Sequence, residues 1–335
     1  MTTITNPDEL LAAVAVATRA PSVHNTQPWL FRLIDGGVEL YADRRRQLGV
    51  SDPTGTALRV SCGAAIFNLR LAFAQLGLAP EVRLLPEPGR PDLLARVIAG
   101  RPRPATPDET TLYAAIPRRH SNRQPFLNTA VPLEVRFELL AAAQAEGCWL
   151  DLVLGPVALD MVAELVRSAD RVLLLDEAYR SELAAWTRHG DESPDGVPRR
   201  AGGPAPEPHD LLVQRDFGAP PRSSGRDFET DPLVGVLGSE HGSPRDDLVA
   251  GQALQHVLLA ATRAGLVTSL LSQPIEVAQA REQLRMGLRR HGQPQMLLRF
   301  GYGVTGSPTP RRPVADVLLT DSAPTEVEVT TRPGP

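Results

Sequence analysis

The sequence predicts an α+β fold, on three observations. Its 335 residues, 42% of them apolar, suffice for one large core or two of ordinary size. Runs with closely spaced apolar residues, long enough for helices, alternate with short strand-like runs along the chain. And "LAFAQLGL" at 71–78 is matched by "LAATRAGL" at 259–266, each ending a long apolar helix, which hints at an internal duplication.

The elements follow in order. Residues 8–19 form a helix behind an Asn6-Pro7-Asp8 start signal, and Pro21 stops it. "WLFRLI" and "VELYA" flank "DGG", a hairpin whose glycines accept positive φ. "DPTG" leads into a long apolar helix over 56–78, and "EVRLL" is a strand candidate. The Pro-rich passage 86–107 reads as a connection between two halves, 1–106 and 107–335. Helical patterns resume at 108–116, 132–146 and 156–189, with a buried strand at 149–155. Residues 190–232 carry Pro, Gly, Ser and charge over a length unusual for a connection, so 185–230 is a candidate lid or a disordered segment. The last third holds a strand at 233–238, helices at 244–265 and 274–286, and a strand at 295–303.

Charge and composition narrow the chemistry. Thirty-five basic against 39 acidic residues offer no global case for nucleic acid or an anionic membrane, so a small-molecule partner is expected. Every basic residue is arginine, which excludes Schiff-base lysine chemistry and a Walker-type phosphate loop. Any fixed positive charge in a site is then a guanidinium fork suited to phosphate. Cys62 and Cys148 stand alone and read as buried thiols in a reducing compartment. With neither a signal-peptide pattern nor an apolar run of membrane-spanning length, a cytoplasmic protein is expected. His189, His209, His241, His256 and His291 show no metal-ligand spacing, so no metal site is expected. No nucleophile–base set and no paired carboxylates stand out, so no catalytic side chain is assigned.

Three segments gather the unusual polar groups: "PSVHNTQPW" (21–29), "PRRHSNRQPF" (117–126) and "PRRPVADV" (310–317). The second presents forked donors and a hydroxyl to an anion such as phosphate, or it is a solvated arginine cluster. In the first, the amides of Asn25 and Gln27 suit the edge of a uracil-like ring, or they close an Asx-type turn between prolines.

"APSVHNTQPW" resembles the PS-x-x-N-x-QPW segment of nitroreductase-family flavoproteins, and "RRHSNRQPF" is similar to that family's RRS-x-R-x-F segment. The two come in inverted order, about a hundred residues apart. That inversion, with the helix "SDPTGTALRVSCGAAIFNLRLAFAQLG", resembles the Acg-like subfamily, in which two nitroreductase-like halves are fused. The resemblance implies a three-layer tandem fold, a monomeric pseudo-dimer and one FMN site assembled from both halves. It implies that Arg119, His120 and Ser121 hold the phosphate and ribityl chain, and that Arg123 approaches the N1 and C2 carbonyl edge. Ser22, Asn25 and Gln27 would meet ring and ribityl from the other half, with His24 facing the flavin or capping the turn. Arg311, with Arg312 as a further candidate, would meet the phosphate, and backbone around Gly265, Thr268 and Ser269 would lie near the ring.

The activity so implied is ping-pong hydride transfer through flavin N5, from NADH or NADPH to a nitroaromatic, quinone or similar small acceptor. The alternatives are an FMN-storing protein with a closed lid and little turnover, and a tailoring oxidase on a peptide or heterocycle.

Overall fold

The computed structural model describes residues 6–188, 190, 193–207, 209–218, 221–222 and 227–319. Local signals account for most boundaries. Helix α1 (Pro7–Ala17) starts on a capping box, with Asn6 and Glu9 each accepting from the other's backbone N–H. Strands β1 (Trp29–Ile34) and β2 (Gly37–Ala42) pair antiparallel through a turn in which Gly36 takes φ +66°. Helix α2 (Thr56–Gln75) ends as Gly77 adopts φ +75°. Strands β3 (Leu78–Leu84) and β4 (Leu93–Pro102) complete an antiparallel sheet of order β1-β2-β4-β3.

Strand β4 corrects the reading of 86–107 as a plain connection. The prolines at 86, 88 and 91 dominate that stretch, yet Leu93, Leu94, Ala95 and Val97 are all buried, which anchors the strand. Tertiary burial overrides local punctuation here.

The chain continues through α3 (Pro107–Ala115), which a Thr106–Glu109 capping box starts, then α4 (Leu133–Ala145) and β5 (Trp149–Val153). The single helical pattern 156–189 is two helices, α5 (Pro156–Leu175) and α6 (Glu177–Ala185). Asp176 leaves helical geometry between them and caps α6 by accepting from the Ala178 and Tyr179 amides. Two-residue strands β6 (Thr187–Arg188) and β7 (Val197–Pro198) pair in parallel inside the candidate lid. Strand β8 (Leu233–Ser239), helix α7 (Pro244–Arg263), strand β9 (Val267–Leu271), helices α8 (Gln273–Glu276) and α9 (Ala278–Gly287), and strand β10 (Gln293–Gly301) follow. The predicted helix 274–286 is thus broken at Val277, and β9 is a strand that its short run did not reveal.

The second sheet runs β5-β8-β10-β9, again antiparallel throughout. Each sheet, taken in chain order, follows first, second, fourth, third, with α2 or α7 between its second and third strands. One sequence offset relates 71–78 to 259–266, Gly63 to Gly251, and Gly77 to Gly265; Gly265, like Gly77, is left-handed and follows its helix. Helices α2 and α7 lie against each other between the sheets, where Phe67 stacks on His256 at 4.9 Å and Gln255 donates to Asn68 at 2.8 Å.

One core gathers Trp29, Phe31, Leu40, Ile66 and Phe73 around the first sheet; another gathers Leu139, Leu150, Leu254, Leu258 and Phe300 around the second. Helix α2 is long and apolar enough to cross a membrane by composition, but 83% of its most apolar window is buried inside the protein. After β10 the chain returns to the first sheet. Val317 buries in that core and the Leu319 amide donates to the Phe31 carbonyl at 2.7 Å, so residues 309–312 are held between the two sheet systems.

Candidate functional site

A cavity of about 440 Å³ lies between segments distant in the sequence. Residues 21–25 and the start of α2 line it together with 119–123, β9–α8, β10 and 309–311.

The 22–27 segment is held in unusual backbone. His24, Asn25 and Gln27 have φ of +50°, +55° and +50°, a left-handed region that non-glycine residues enter at a cost. The surroundings fix it there. Ser22 Oγ accepts from the Gln27 amide at 2.9 Å. Asn25 Nδ2 donates to the Gly196 carbonyl at 3.0 Å and to that of Pro310 at 3.1 Å, while its Oδ1 accepts from Arg311 Nη1 at 3.0 Å. Gln27 Nε2 donates to the Pro194 carbonyl at 2.8 Å, and its Oε1 accepts from the Arg312 amide at 2.8 Å. Both amides, expected to read a ring edge, bind the lid segment and the C-terminal arm instead.

The arginine end is cationic and lacks compensation. Arg119 is 3% exposed; Nη2 donates to the Arg19 carbonyl at 3.3 Å, whereas Nε and Nη1 have no partner among the described residues. Burial pulls its pKa down to about 10. Arg311 donates to the Thr18 carbonyl at 2.8 Å and that of Ala20 at 3.1 Å, and its pKa falls to about 9 through burial, then Arg119 and Arg19. His120 is pushed down to about 4 by burial, then by Arg119, Arg311 and Arg19. Among the described residues no carboxylate forms an ion pair with Arg119 or Arg311, so this end is built for an anion.

The other wall comes from the candidate lid. Arg215 pairs with Glu276 at 2.8 Å and approaches His24 Nε2 with Nη1 at 3.1 Å. Since a guanidinium only donates, Nε2 is the acceptor and the proton of the neutral ring sits on Nδ1. Burial, then Arg215 and Arg123, hold the His24 pKa well below its ordinary value. Arg123 lies over the Phe217 ring at 4.9 Å, donates to the Ala201 carbonyl at 2.9 Å, and is lowered to about 10 by burial and by Arg215.

Of the residues singled out in the sequence, Ser22, His24, Asn25, Arg119, Ser121, Arg123 and Arg311 line this cavity. The others stand behind it or apart from it. Gln27 is fully buried, and Arg312 serves it through a backbone amide. His120 is half-buried beside the guanidinium pair. Gly265 ends α7 with open space around it. Thr268 accepts from the Asn122 amide at 2.7 Å and so places the arginine segment, and Ser269 donates to Gln214 at 2.8 Å.

The sequence reading missed Gln214, Arg215 and Phe217, which sit in a stretch without periodicity, and Asp52. Asp52 lines the cavity while accepting from the Ala57 and Leu58 amides at 3.0 and 2.8 Å, and burial pushes its pKa up to about 6. Its place in "DPTG", ahead of an apolar helix, was the available signal. Of the five dismissed histidines, His189 lies outside the described residues; His256 pairs with Glu146 at 3.2 Å. Among the described residues no group of metal-ligating side chains occurs. Cys62 and Cys148 are both free and buried.

A comparison with protein-family models finds no match. Relatives span almost the whole chain. The Mycobacterium tuberculosis (strain ATCC 25618 / H37Rv) protein named "Putative NAD(P)H nitroreductase Rv3131" is 35% identical over 317 residues, 91% of this chain and 89% of the relative. One named "Putative NAD(P)H nitroreductase acg", from the same strain, is 30% identical over 325 residues, 94% of this chain and 97% of its own. Among solved structures, a nitroreductase with bound FMN from Desulfitobacterium hafniense DCB-2 matches 63% of this chain and 97% of its own at 16% identity, with a TM-score of 0.40. The chain belongs to the Acg-like family of NAD(P)H nitroreductase relatives.

Proposed function

We propose that the chain is an FMN-dependent oxidoreductase that takes electrons from NADH or NADPH and passes them, in ping-pong order, to a small acceptor such as a nitroaromatic or a quinone. The observation that carries this reading is Arg119: a buried guanidinium beside Arg311, with two donor atoms that have no partner and no paired carboxylate among the described residues. A buried charge left in that state needs an anionic ligand, and the phosphate of FMN is such an anion. The names of the relatives and the FMN of the nitroreductase neighbour agree with it.

In this reading Arg119, Arg311 and Ser121 bind the phosphate end, and Ser22 and His24 approach from the first half. Asn25 acts through Arg311, whose guanidinium it orients. Arg123, desolvated and stacked on Phe217, favours negative charge on the ring. FMN supplies the two-electron chemistry, so the side chains are needed for binding, orientation and electrostatics. The halves 1–106 and 107–335 then build one composite site, and a monomer suffices. Two buried thiols suit a cytoplasmic setting.

A second reading, an FMN-holding protein with little turnover, is favoured by one feature: Val197, Gln214, Arg215 and Phe217 of the candidate lid supply part of the cavity wall, and Arg215 is tied to Glu276. One experiment separates the two. Purified protein carrying one FMN per chain is titrated anaerobically with NADH and with NADPH, then mixed with a quinone. Bleaching followed by recovery of the yellow colour supports the enzyme; a spectrum unmoved by either nucleotide favours holding. A chain that binds no FMN sinks both.

A further inference from the structure

Two consecutive residues of the candidate lid present buried N–H donors that have no acceptor among the described residues. Gln214 is 2% exposed and lines the cavity; its Oε1 accepts from Ser269 Oγ at 2.8 Å, which fixes the amide and leaves Nε2 without a partner. Arg215, 8% exposed, directs Nη2 to Glu276 and Nη1 to His24, and its Nε has no partner. Ser269 belongs to β9, so the amide is oriented by the sheet across the cavity wall and not by the lid itself.

An amide nitrogen in this position is not an anion site. It carries no charge, and the guanidinium beside it is already balanced by Glu276. What the pair lacks is an uncharged acceptor, since a buried donor left without one costs more than a made hydrogen bond gains. We propose that Gln214 is a ligand-recognising residue, donating through Nε2 to a carbonyl oxygen of a ring bound in the cavity, with Ser269 as the positioning residue that sets the amide's direction. This rests on the FMN reading above, in which the ring carbonyl belongs either to the flavin or to a quinone acceptor. The lid is then part of the recognition surface as well as a cover.

The test uses full-length protein and three variants: Gln214→Leu, which removes the donor; Gln214→Glu, which keeps an oxygen for Ser269 but replaces the donor with an acceptor; and Ser269→Ala. Thermal melts establish that each is folded. FMN affinity is measured by quenching of flavin fluorescence, and KM for a quinone by steady-state turnover. Both Gln214 variants are expected to lose about tenfold or more in one of these two quantities, and Ser269→Ala a smaller amount in the same one. Loss of FMN affinity assigns the carbonyl to the flavin. A raised quinone KM at unchanged FMN affinity assigns it to the acceptor. Folded Gln214 variants that match the wild type in both overturn the proposal while leaving the FMN reading intact. Failure of the wild type itself to bind FMN overturns the FMN reading.

Discussion

Gly63 of α2 and Gly251 of α7 meet backbone to backbone. A Cβ on Gly63 would stand 2.2 Å from the Leu248 carbonyl oxygen, and one on Gly251 would stand 2.1 Å from that of Val60. Glycine inside a helix costs about 1 kcal/mol relative to alanine, so exposed positions of this kind favour the substitution. Here the obstacle is main chain, which has no rotamer with which to yield. Gly63→Ala and Gly251→Ala are each expected to destabilise the protein by about 1–3 kcal/mol, as overpacking does. Denaturant midpoints equal to the wild type's would show that the helices separate freely.

Arg119 should separate stability from binding. Replacing a buried, uncompensated charge by an apolar side chain of similar reach removes a desolvation penalty. Arg119→Met is therefore expected to hold or raise the melting temperature of the ligand-free protein while weakening FMN binding about 10- to 100-fold, the value of a charge-assisted hydrogen bond. A variant that melts lower and binds FMN normally would make Arg119 a structural residue.

Asn25 is expected to behave in the opposite way. Its side chain joins the Gly196 and Pro310 carbonyls and the Arg311 guanidinium, partners distant in sequence, and its φ of +55° suits asparagine better than alanine. Asn25→Ala should cost about 2–4 kcal/mol in the ligand-free protein and lower FMN content through a misplaced Arg311. Unchanged stability with lost flavin would instead place the amide on the ligand.

Acid should expose His120. Burial, then Arg119, Arg311 and Arg19, lower it from 6.5 to about 4, so the folded chain resists a proton that the unfolded chain accepts. Its contribution to stability is complete above 6.5 and is lost as the pH falls through that window. His120→Gln has nothing to lose there. The stability gap between wild type and variant should shift against the wild type between pH 6.5 and 4, read from denaturation curves at each pH; parallel curves would mean that the ring titrates alike in both states.

By itself the sequence determined the pieces. The start signal at Asn6-Pro7-Asp8 and the Asp35-Gly36 turn are contacts within a few residues, and they were legible because their partners are neighbours. The arginine and QPW segments likewise identified the two halves of the cavity wall by residue type. Tertiary structure decided what those groups face. Arg119 is buried with no carboxylate paired to it among the described residues, whereas Asn25 and Gln27, whose donors and acceptors suit a ring edge, meet Gly196, Pro194 and residues 310–312 across the fold. Strand β4 and Gln214 escaped notice for the same reason. A proline-rich or aperiodic stretch takes its role from what it is buried against, and long-range burial leaves no local pattern in the chain.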